Sequence, residues 1–388
     1  MKTCFRNFNL IDGNGGDIIN NATMVVENGK IVGFDDSSNN VAIDLKGRYV
    51  LPGLMDAHIH MTASTLTKGK RLTDYDVAEH AMACIQNLEL CLKQGVTFVR
   101  DVGSFDKIPV ELSYRKYLKN GSLKGCKMIC SGNIVTMTSG HAAGQSTKVC
   151  DGVEGVRKAT RELISEGVDL IKTVATGGVS TEGNDPNAYQ FNLEELQTIV
   201  LEAHKAGRKV AVHAHGAKGI KNAIQAGVDS IEHGTLIDDE GIQMMLKHGT
   251  WLVPTFTVGK YILESDIGLP EYMKEKESQI IGKHHENIKK AFEAGVKLGC
   301  GTDITPPYMP FHIAEEIALM IESTGMSAME AILCATKNNS ELMGVDDEYG
   351  TLEIGKYADF IVLESNPIED ISKLKHPVAV YQSGILVV

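Results

Sequence analysis

The sequence predicts an α/β fold: a (β/α)8 barrel joined to a small β domain that both chain termini form. From residue 51 onward, short apolar segments typical of strands alternate with amphipathic segments typical of helices, until eight strands are counted. Regular alternation of this kind implies parallel strands, and eight of them favour a closed barrel. No GxGxxG motif follows the first strand, which counts against the alternative of an open, doubly wound sheet.

The two ends of the chain carry the strands of the β domain. Residues 1–50 have the pattern of short strands and turns, and residues 23–34 predict a hairpin with Asn28 and Gly29 at its tip. Asn-Gly supplies the positive φ angles that a tight hairpin turn requires. The tail regains strand character at 358–363 and 378–387. We therefore expect residues 1–50 and 354–388 to form the β domain, and 51–353 the barrel.

The barrel segments can be assigned in order along the chain. The predicted strands are the apolar run before His58, then 96–103, 127–131, 168–174, 209–215, 228–233, 250–255 and 296–303. The helices between them are predicted at 76–94, 107–119, 152–166, 192–206, 217–226 and 239–248, and a long helical stretch ends near 295. Two further helices are predicted at 311–324 and 327–343.

Composition limits the possible functions. A net charge of −12 and the absence of a basic stripe exclude nucleic acid as an expected partner. No run approaches the ~18 apolar residues of a membrane helix, and the N-terminus does not have the pattern of a signal peptide. The eight cysteines are scattered without a CxxC pair, which favours reduced thiols. We expect a cytoplasmic homo-oligomer that acts on a small molecule, without a membrane or nucleic-acid partner.

The first predicted strand ends in two histidines. His58 and His60 are two residues apart, so on a strand both project to one face. Paired imidazoles at the end of a buried strand commonly chelate a metal ion. The alternative is a pair of polar core residues satisfied by hydrogen bonds, and the two residues alone do not decide between these interpretations.

Other strand ends carry the same kinds of groups. Single residues have ordinary explanations: His213 and His215 could be a hydrogen-bonded core pair, and Asp303 a turn former. Lys172 is harder to explain, because an unpaired ammonium inside an apolar strand costs several kcal/mol. Chance does not readily place metal-capable groups at five strand ends, so the set predicts a metal site. Its members are His58, His60, Lys172, His213, His215, His233 and Asp303.

These motifs resemble those of the amidohydrolase superfamily, in the branch of imidazolonepropionase-related and prolidase-like dipeptidases. They are LPGLMDAHIH (51–60), the pair Ile171 and Lys172, VHAH (212–215), SIEHG (230–234), GTD (301–303) and GKYAD (355–359). The resemblance covers essentially the whole chain. It implies a distorted (β/α)8 TIM barrel with a small β-sandwich domain formed by both chain termini.

The resemblance also implies a ligand set for two divalent metal ions. Residues matching His58 and His60, together with Asp303, hold one ion in similar enzymes, and those matching His213 and His233 hold the second. A carboxylated lysine at the place of Lys172 bridges both ions, and this modification would replace the buried cation with an anionic ligand. Nitrogen and oxygen ligands favour Zn²⁺, with Mn²⁺ or Co²⁺ as alternatives.

The expected function is that of a binuclear metal-dependent hydrolase acting on amide bonds, with a dipeptide or an N-acyl amino acid as substrate. A metal-bridging hydroxide would attack the carbonyl, and Asp303 would carry the proton to the leaving amine. An alternative is the same centre acting on a cyclic amide, an aryl-urea or carbamate, or a phosphotriester. A second alternative is a non-enzymatic barrel module that has lost its metals, against which the complete ligand set argues.

Four residues are candidates for binding the substrate. His141, after the third strand, matches a substrate-binding histidine of prolidase-like relatives, with a surface-loop histidine as the alternative. His215 lies on the same strand face as His213, where several relatives have tyrosine. Arg100 ends the second strand and could instead pair with an acid. Tyr308 follows Asp303 and could line the leaving-group side or simply pack.

Overall fold

The two ends of the chain meet in one sheet. The computed structural model describes residues 2–35, 42–62, 76–104, 108–144, 147–264, 268–303 and 312–388. Seven strands from both termini pair in the order β16-β15-β14-β4-β1-β2-β3. These strands are β1 (Lys2–Leu10), β2 (Ile19–Glu27), β3 (Lys30–Gly33), β4 (Ala42–Pro52), β14 (Phe360–Leu363), β15 (Ala379–Gln382) and β16 (Ile385–Leu386).

The terminal sheet forms as the sequence predicts. The turn between β2 and β3 contains Asn28 and Gly29, with φ values of 52° and 81°. Strand β14 pairs antiparallel with β4, so the tail is joined to the N-terminal segment by a ladder. All seven strands form one hydrogen-bonded sheet, and it encloses an apolar core of its own that includes Phe5, Phe8, Met24, Ile31, Val50 and Phe360.

The barrel strands and helices alternate along the middle of the chain. The strands are β5 (Leu54–Ile59), β6 (Val96–Asp101), β7 (Lys127–Cys130), β8 (Val135–Thr136), β9 (Lys148–Val149), β10 (Leu170–Val174), β11 (Lys209–Gly216), β12 (Ser230–Leu236) and β13 (Trp251–Val253). The helices are α1 (Val77–Lys93), α2 (Val110–Lys119), α3 (Gly152–Glu166), α4 (Leu193–Lys205), α5 (Ala217–Ala226), α6 (Asp239–His248), α7 (Phe256–Glu264), α8 (Glu271–Glu293), α9 (Ile313–Thr324), α10 (Ala328–Leu333) and α11 (Asn339–Met343).

The barrel is interrupted rather than continuous. Its strands pair in parallel in two groups, β5-β6-β7 and β13-β12-β11-β10-β8-β9. The predicted eighth strand, 296–303, is not a regular strand, and one bridge pairs Leu298 with Leu252. Its backbone still bonds on both sides: Leu252 N–H donates to Lys297 O (3.0 Å), and Ala57 N–H donates to Cys300 O (2.9 Å). This segment therefore links the two groups of strands, β13 on one side and β5 on the other. Because it is irregular, the barrel is distorted at this point.

Two predicted helices are divided in the structure. The stretch predicted to end near residue 295 consists of α7 and α8, and Pro270 stands at the N-cap of α8. Proline disfavours the helical conformation of the residue before it, so α8 begins afresh after it. The helix predicted at 327–343 contains a π-helical turn, Cys334–Asn338, between α10 and α11.

The core of the barrel is apolar and positions the strand ends. Its largest buried cluster draws on the strands and on the inner faces of the helices, with members such as Leu54, Val99, Ile171, Val212, Ile231 and Ile317. None of the described helices is both long and apolar enough to cross a bilayer. Because the strands are parallel, their C-terminal ends open on one side, where barrels of this type carry their chemistry.

Candidate active site and metal centre

Two histidines and one aspartate meet where β5 ends. His58 Nε2 lies 3.3 Å and His60 Nε2 lies 3.2 Å from Asp303 Oδ1. The backbone fixes this arrangement, since Asp303 N–H donates to His58 O at 2.7 Å. Asp303 has a positive φ of 53°, which is uncommon outside glycine and turns its side chain toward the histidines. One carboxylate oxygen thus faces both imidazoles.

Three more histidines from β11 and β12 lie next to this group. The rings of His213 and His233 have centroids 4.7 Å apart, and His215 stacks on His233 at 4.8 Å. The ring centroids of His58 and His233 are 5.2 Å apart. Two sets of side chains offer ligand atoms within 4.8 Å of one another: His213 with His215 and His233, and His58 with His233 and Asp303. His233 belongs to both sets, so they form one pocket.

Lys172 on β10 reaches the same pocket. It is only 2% exposed, and its Nζ lies 3.5 Å from His58 Nε2. Burial lowers the pKa of Lys172 to about 8, against the partial opposition of the Glu232 and Asp303 carboxylates. A neutral amine is therefore accessible at Lys172 near neutral pH.

The second ring nitrogen of each histidine is held by an oxygen atom. Nδ1 of His58 lies 2.8 Å from Glu232 Oε2, and Nδ1 of His60 lies 2.9 Å from Gly103 O. Nδ1 of His215 lies 2.8 Å from Thr235 Oγ1, and Nδ1 of His233 lies 2.7 Å from Thr255 Oγ1. His213 is reversed, with its Nε2 3.2 Å from Gly177 O. Such bonds fix the ring orientation of metal-ligating histidines and leave the other nitrogen for the ion.

The electrostatics of the pocket suit a cation. Burial lowers the pKa of His213 and of His233 well below the usual value, so both imidazoles are neutral and have a free lone pair. Burial would raise the pKa of Asp303, but the neighbouring histidines hold it well below the usual value as an anion. Neutral imidazoles and a carboxylate are the donors that divalent transition metals such as zinc take in proteins. The residues therefore fit a metal ion.

Glu232 is a site residue that sequence reasoning missed. Its Oε2 lies 2.8 Å from His58 Nδ1. Strand periodicity would place adjacent residues on opposite faces, so His233 facing the pocket would turn Glu232 away from it. His233 has a positive φ of 70°, which breaks this alternation and brings both side chains inside. The signal available in the sequence was a carboxylate directly before His233 in a strand that is buried over nearly its whole length.

Arg100, predicted as a possible substrate ligand, is only 3% exposed and bonded on all sides. Its guanidinium donates to both oxygens of Glu232 at 2.8 and 3.0 Å, to Ser230 Oγ at 3.0 Å, and to Ala57 O. This geometry favours the alternative interpretation, an ion pair with an acid, because three of the four contacts of Arg100 go to Glu232 and Ser230 inside the barrel.

His141 lies over the pocket in the loop after β8. Its ring stacks on His213, and its Nδ1 lies 3.0 Å from Thr181 Oγ1. Burial lowers the pKa of His141 to about 4, and that of His215 to about 3. Both are neutral near pH 7 and can offer a hydrogen bond but no positive charge. Tyr308, the fourth candidate, lies outside the described residues.

The chain resembles known proteins in both sequence and fold. The model of the amidohydrolase family matches residues 49–386. The chain is 32% identical to the ochratoxinase of Aspergillus niger, over 96% of this chain and 83% of that protein. A crystal structure of a Xaa-Pro dipeptidase with bound methionine in its active site superposes with a TM-score of 0.92, at 35% identity, over 100% of both chains. A prolidase complexed with N-methylphosphonate-L-proline superposes equally well, at 29% identity, over 100% of this chain and 99% of that one.

Proposed function

The chain belongs to the amidohydrolase family and is a hydrolase of C–N bonds, and we propose that it cleaves a dipeptide or an N-acyl amino acid at a centre of two metal ions. The observation that carries the proposal is the convergence of side chains from β5, β10, β11 and β12 and from the end of segment 296–303 in one buried pocket. The names of two solved relatives, a Xaa-Pro dipeptidase and a prolidase, support a dipeptide as substrate.

The ligands divide into two groups in this proposal. His58, His60 and Asp303 hold one ion, and His213 and His233 hold the other. The contacts of 3.2–3.3 Å around Asp303 support this division. When bound, two divalent cations, of which zinc fits these donors best, supply an activated water and a Lewis acid for the scissile carbonyl.

Lys172 is proposed to bridge the two groups in its carboxylated form. Its neutral amine forms a bond with the carbon of CO₂ and releases one proton, so a buried cation becomes an anionic oxygen ligand. The lowered pKa of Lys172, about 8, supports this reaction, because it raises the fraction of neutral amine. The modified side chain also removes the cost of an ammonium beside His58 Nε2.

Asp303 is proposed to carry the proton. Its Oδ1 stands between His58 and His60, and its side chain keeps 18% of its surface exposed to the pocket. An anionic carboxylate in this position can take a proton from the attacking water and pass it to the leaving amine. The leaving nitrogen is a poor leaving group as an anion, so this transfer is essential for amide cleavage.

His141 and His215 are proposed to bind the substrate carboxylate. Both rings lie against the ligand histidines, on His213 and His233 respectively, and both are neutral. A neutral imidazole N–H donates a hydrogen bond to a carboxylate without adding charge next to two cations. Tyr308 stays a prediction for the leaving-group side.

The cellular setting is also a proposal. We propose a cytoplasmic homo-oligomer that acts on a small molecule and has no nucleic-acid or membrane partner. All eight cysteines are free thiols, seven of them buried, which supports a reducing compartment.

A turnover screen tests the proposed function. Purified protein loaded with Zn²⁺ is assayed against Xaa-Yaa dipeptides, N-acetyl amino acids and the same dipeptides with a C-terminal amide. We expect turnover of the free acids, little turnover of the amides, and about two equivalents of metal by elemental analysis. The Lys172→Ala variant is the inactive control, and His248→Ala, on the exposed end of α6, is the matched active one.

Two outcomes would overturn the proposal. Fully active protein with less than one equivalent of metal would exclude the metal centre. Turnover of lactams, aryl-ureas or phosphotriesters without turnover of any dipeptide or N-acyl amino acid would exclude the substrate class.

A further inference from the structure

A charged network lies directly behind the pocket, on its strand side. Arg100 from β6 and Glu232 from β12 form a two-oxygen ion pair across the barrel interior, at 2.8 and 3.0 Å. Ser230 donates to Glu232 Oε1 at 2.6 Å and accepts from Arg100 Nη1 at 3.0 Å. The other carboxylate oxygen, Oε2, lies 2.8 Å from His58 Nδ1. The network therefore ends on a side chain of the pocket.

Stability alone does not explain a network of this kind. Glu232 is 0% exposed and Arg100 is 3% exposed, so both charges are removed from water. The free energy needed to desolvate a buried ion pair is often as large as the attraction between its charges. A protein with apolar side chains of similar size at these positions is often equally stable or more stable. Apolar residues do fill another part of the interior, where Val102, Leu170 and Ala211 form a buried cluster. The charges need another reason.

The backbone of β12 departs from regular strand geometry at His233, next to Glu232 of this network. With a φ of 70°, His233 departs from the regular strand, and its side chain enters the pocket beside the adjacent Glu232. A non-glycine residue in this conformation stores strain, and the hydrogen bond between His233 Nδ1 and Thr255 Oγ1 helps to hold the residue in place. Strand β12 thus contributes two adjacent side chains to the site: His233, a proposed metal ligand, and Glu232, which contacts His58.

The partner of His58 also differs in charge from those of its neighbours. Nδ1 of His60 faces a backbone carbonyl, and Nδ1 of His215 and of His233 faces a threonine hydroxyl. A carboxylate holds a histidine as the Nδ1–H tautomer and increases the electron density at Nε2, which makes the ring a stronger metal ligand. A hydroxyl can donate or accept, so it leaves the tautomer open.

We propose that Glu232, fixed by Arg100 and Ser230, is the positioning residue that holds His58 as the Nδ1–H tautomer and raises the affinity for the metal ion at His58, His60 and Asp303. This inference rests on the proposed metal centre. It gives Arg100 a role through Glu232, not through the substrate.

Metal affinity and histidine tautomer test this role in the intact protein. In Glu232→Gln the carboxylate becomes a neutral amide of the same shape, and we expect the affinity for one of the two Zn²⁺ or Co²⁺ ions to fall about 10- to 100-fold. Competition with a chromophoric chelator measures this loss, and the Co²⁺ absorption spectrum reports which fraction of the ions is perturbed. In metal-free protein, ¹⁵N–¹H spectra of the imidazoles should show His58 changing from one tautomer to a mixture.

Glu202→Gln is the matched control. Glu202 on α4 is also a nearly buried carboxylate held by two arginines, Arg157 at 2.8 Å and Arg161 at 2.9 Å, but it lies on the outer helical layer. We expect it to keep wild-type metal affinity and the wild-type His58 spectrum. Should Glu232→Gln not fold, Ser230→Ala removes one contact of Glu232 without changing its charge, and we expect it to weaken binding of the same ion several-fold.

The outcomes separate this inference from the proposed function. Wild-type affinity, cobalt spectrum and tautomer in Glu232→Gln, or wild-type affinity in Ser230→Ala where the first variant does not fold, would overturn the positioning role. Equal loss of affinity in Glu202→Gln would also overturn it, because the effect would then be one of general stability. Wild-type protein that binds no metal at all would overturn the proposed function itself.

Discussion

The imidazole rings of His141 and His213 stack with their centroids 4.1 Å apart and their planes 16° from parallel. Both the backbone and the side chain of His141 are hydrogen-bonded: its backbone N–H donates to Gln190 Oε1, and its Nδ1 contacts Thr181 Oγ1. A loop histidine is thereby held rigidly against a proposed metal ligand. Among the described residues no hydrogen-bond partner faces Nε2 of His141, which we propose is the atom that meets the substrate.

Replacing His141 should therefore weaken substrate use without changing metal content. His141→Ala removes a hydrogen bond to the substrate carboxylate, and we expect kcat/KM to fall about 10- to 100-fold, as a loss of about 1.5–3 kcal/mol implies. His141→Asn keeps a donor and should retain more activity. Because the pKa of His141 is lowered to about 4, neither effect should vary between pH 6 and 8. Steady-state kinetics over this range provide the measurement, and a loss of bound metal in His141→Asn would argue against the assignment.

Carboxylation of Lys172 predicts a specific chemical rescue. Lys172→Ala removes the bridging ligand, and we expect activity to fall about 100-fold or more. The space left by the side chain admits a small carboxylate, so acetate or propionate should restore part of the activity in a concentration-dependent way. Lys148→Ala, a change in a surface lysine paired with Glu166, is the control and should respond to neither anion. Equal stimulation of both variants would point to a general salt effect.

Much of this architecture follows from local sequence, and the exceptions have identifiable causes. The spacing of His58 and His60 and the lysine inside an apolar strand are local signals, and the structure brings these side chains into one pocket. Their role as metal ligands remains a prediction. Glu232 was missed because the positive φ of its neighbour His233 reverses the expected strand alternation, and such a conformation stays uncommon even for histidine.

Other departures arise from tertiary contacts. The segment 296–303 has the composition of a strand, but it contributes backbone hydrogen bonds to two neighbours without forming a ladder with either. His284 on α8 is buried, with its Nε2 3.1 Å from His233 O, whereas the next residue, His285, is half-buried. Two adjacent histidines in a charged helix look alike in the sequence, and packing of α8 against β12 decides which one is buried.

A buried acid on α8 should make stability depend on pH. Glu277 is 5% exposed, and no described side chain forms a hydrogen bond or ion pair with it. Burial and the Asp303 carboxylate raise the pKa of Glu277 from 4.5 to about 7. Between these values the unfolded state has lost its proton while the folded state keeps it, so the free energy of unfolding falls as pH rises from 4.5 to 7.

Glu277→Gln should remove this penalty. In chelator-treated protein we expect the variant to be more stable than wild type by about 1–3 kcal/mol at pH 8 and to lose that advantage at pH 4.5. Urea unfolding at the two pH values provides the measurement. A stability difference that is equal at both pH values would contradict the assignment.

Lys127 connects the barrel to the terminal sheet. Its Nζ lies 2.7 and 2.9 Å from the two oxygens of Asp359, and it sits over the rings of Tyr349 and Tyr357 at 4.7 and 4.9 Å. Lys127→Ala leaves a nearly buried carboxylate without its cation, and we expect the free energy of unfolding to fall by about 1–3 kcal/mol. Lys290→Ala, which breaks an exposed pair with Glu286, should change it by less than about 0.5 kcal/mol. Equal losses in the two variants, measured by denaturant unfolding, would refute a special role for Lys127.

Gly301 sets how closely the end of the barrel approaches His58. A Cβ at this position would lie 2.7 Å from His58 Cβ, 2.7 Å from Val253 Cγ1 and 2.8 Å from the His58 backbone nitrogen. Neither a buried side chain nor a strand backbone can yield cheaply, so Gly301→Ala should displace His58 and destabilise the fold by about 1–3 kcal/mol. Since His58 is a proposed ligand, metal affinity and kcat should fall with it.

Gly282→Ala, in the interior of α8 with nothing within 4 Å of the added Cβ, should leave activity unchanged and raise stability by up to about 1 kcal/mol. Wild-type metal affinity in Gly301→Ala would show that the pocket tolerates a shift of His58, and the close approach would then be a matter of packing alone.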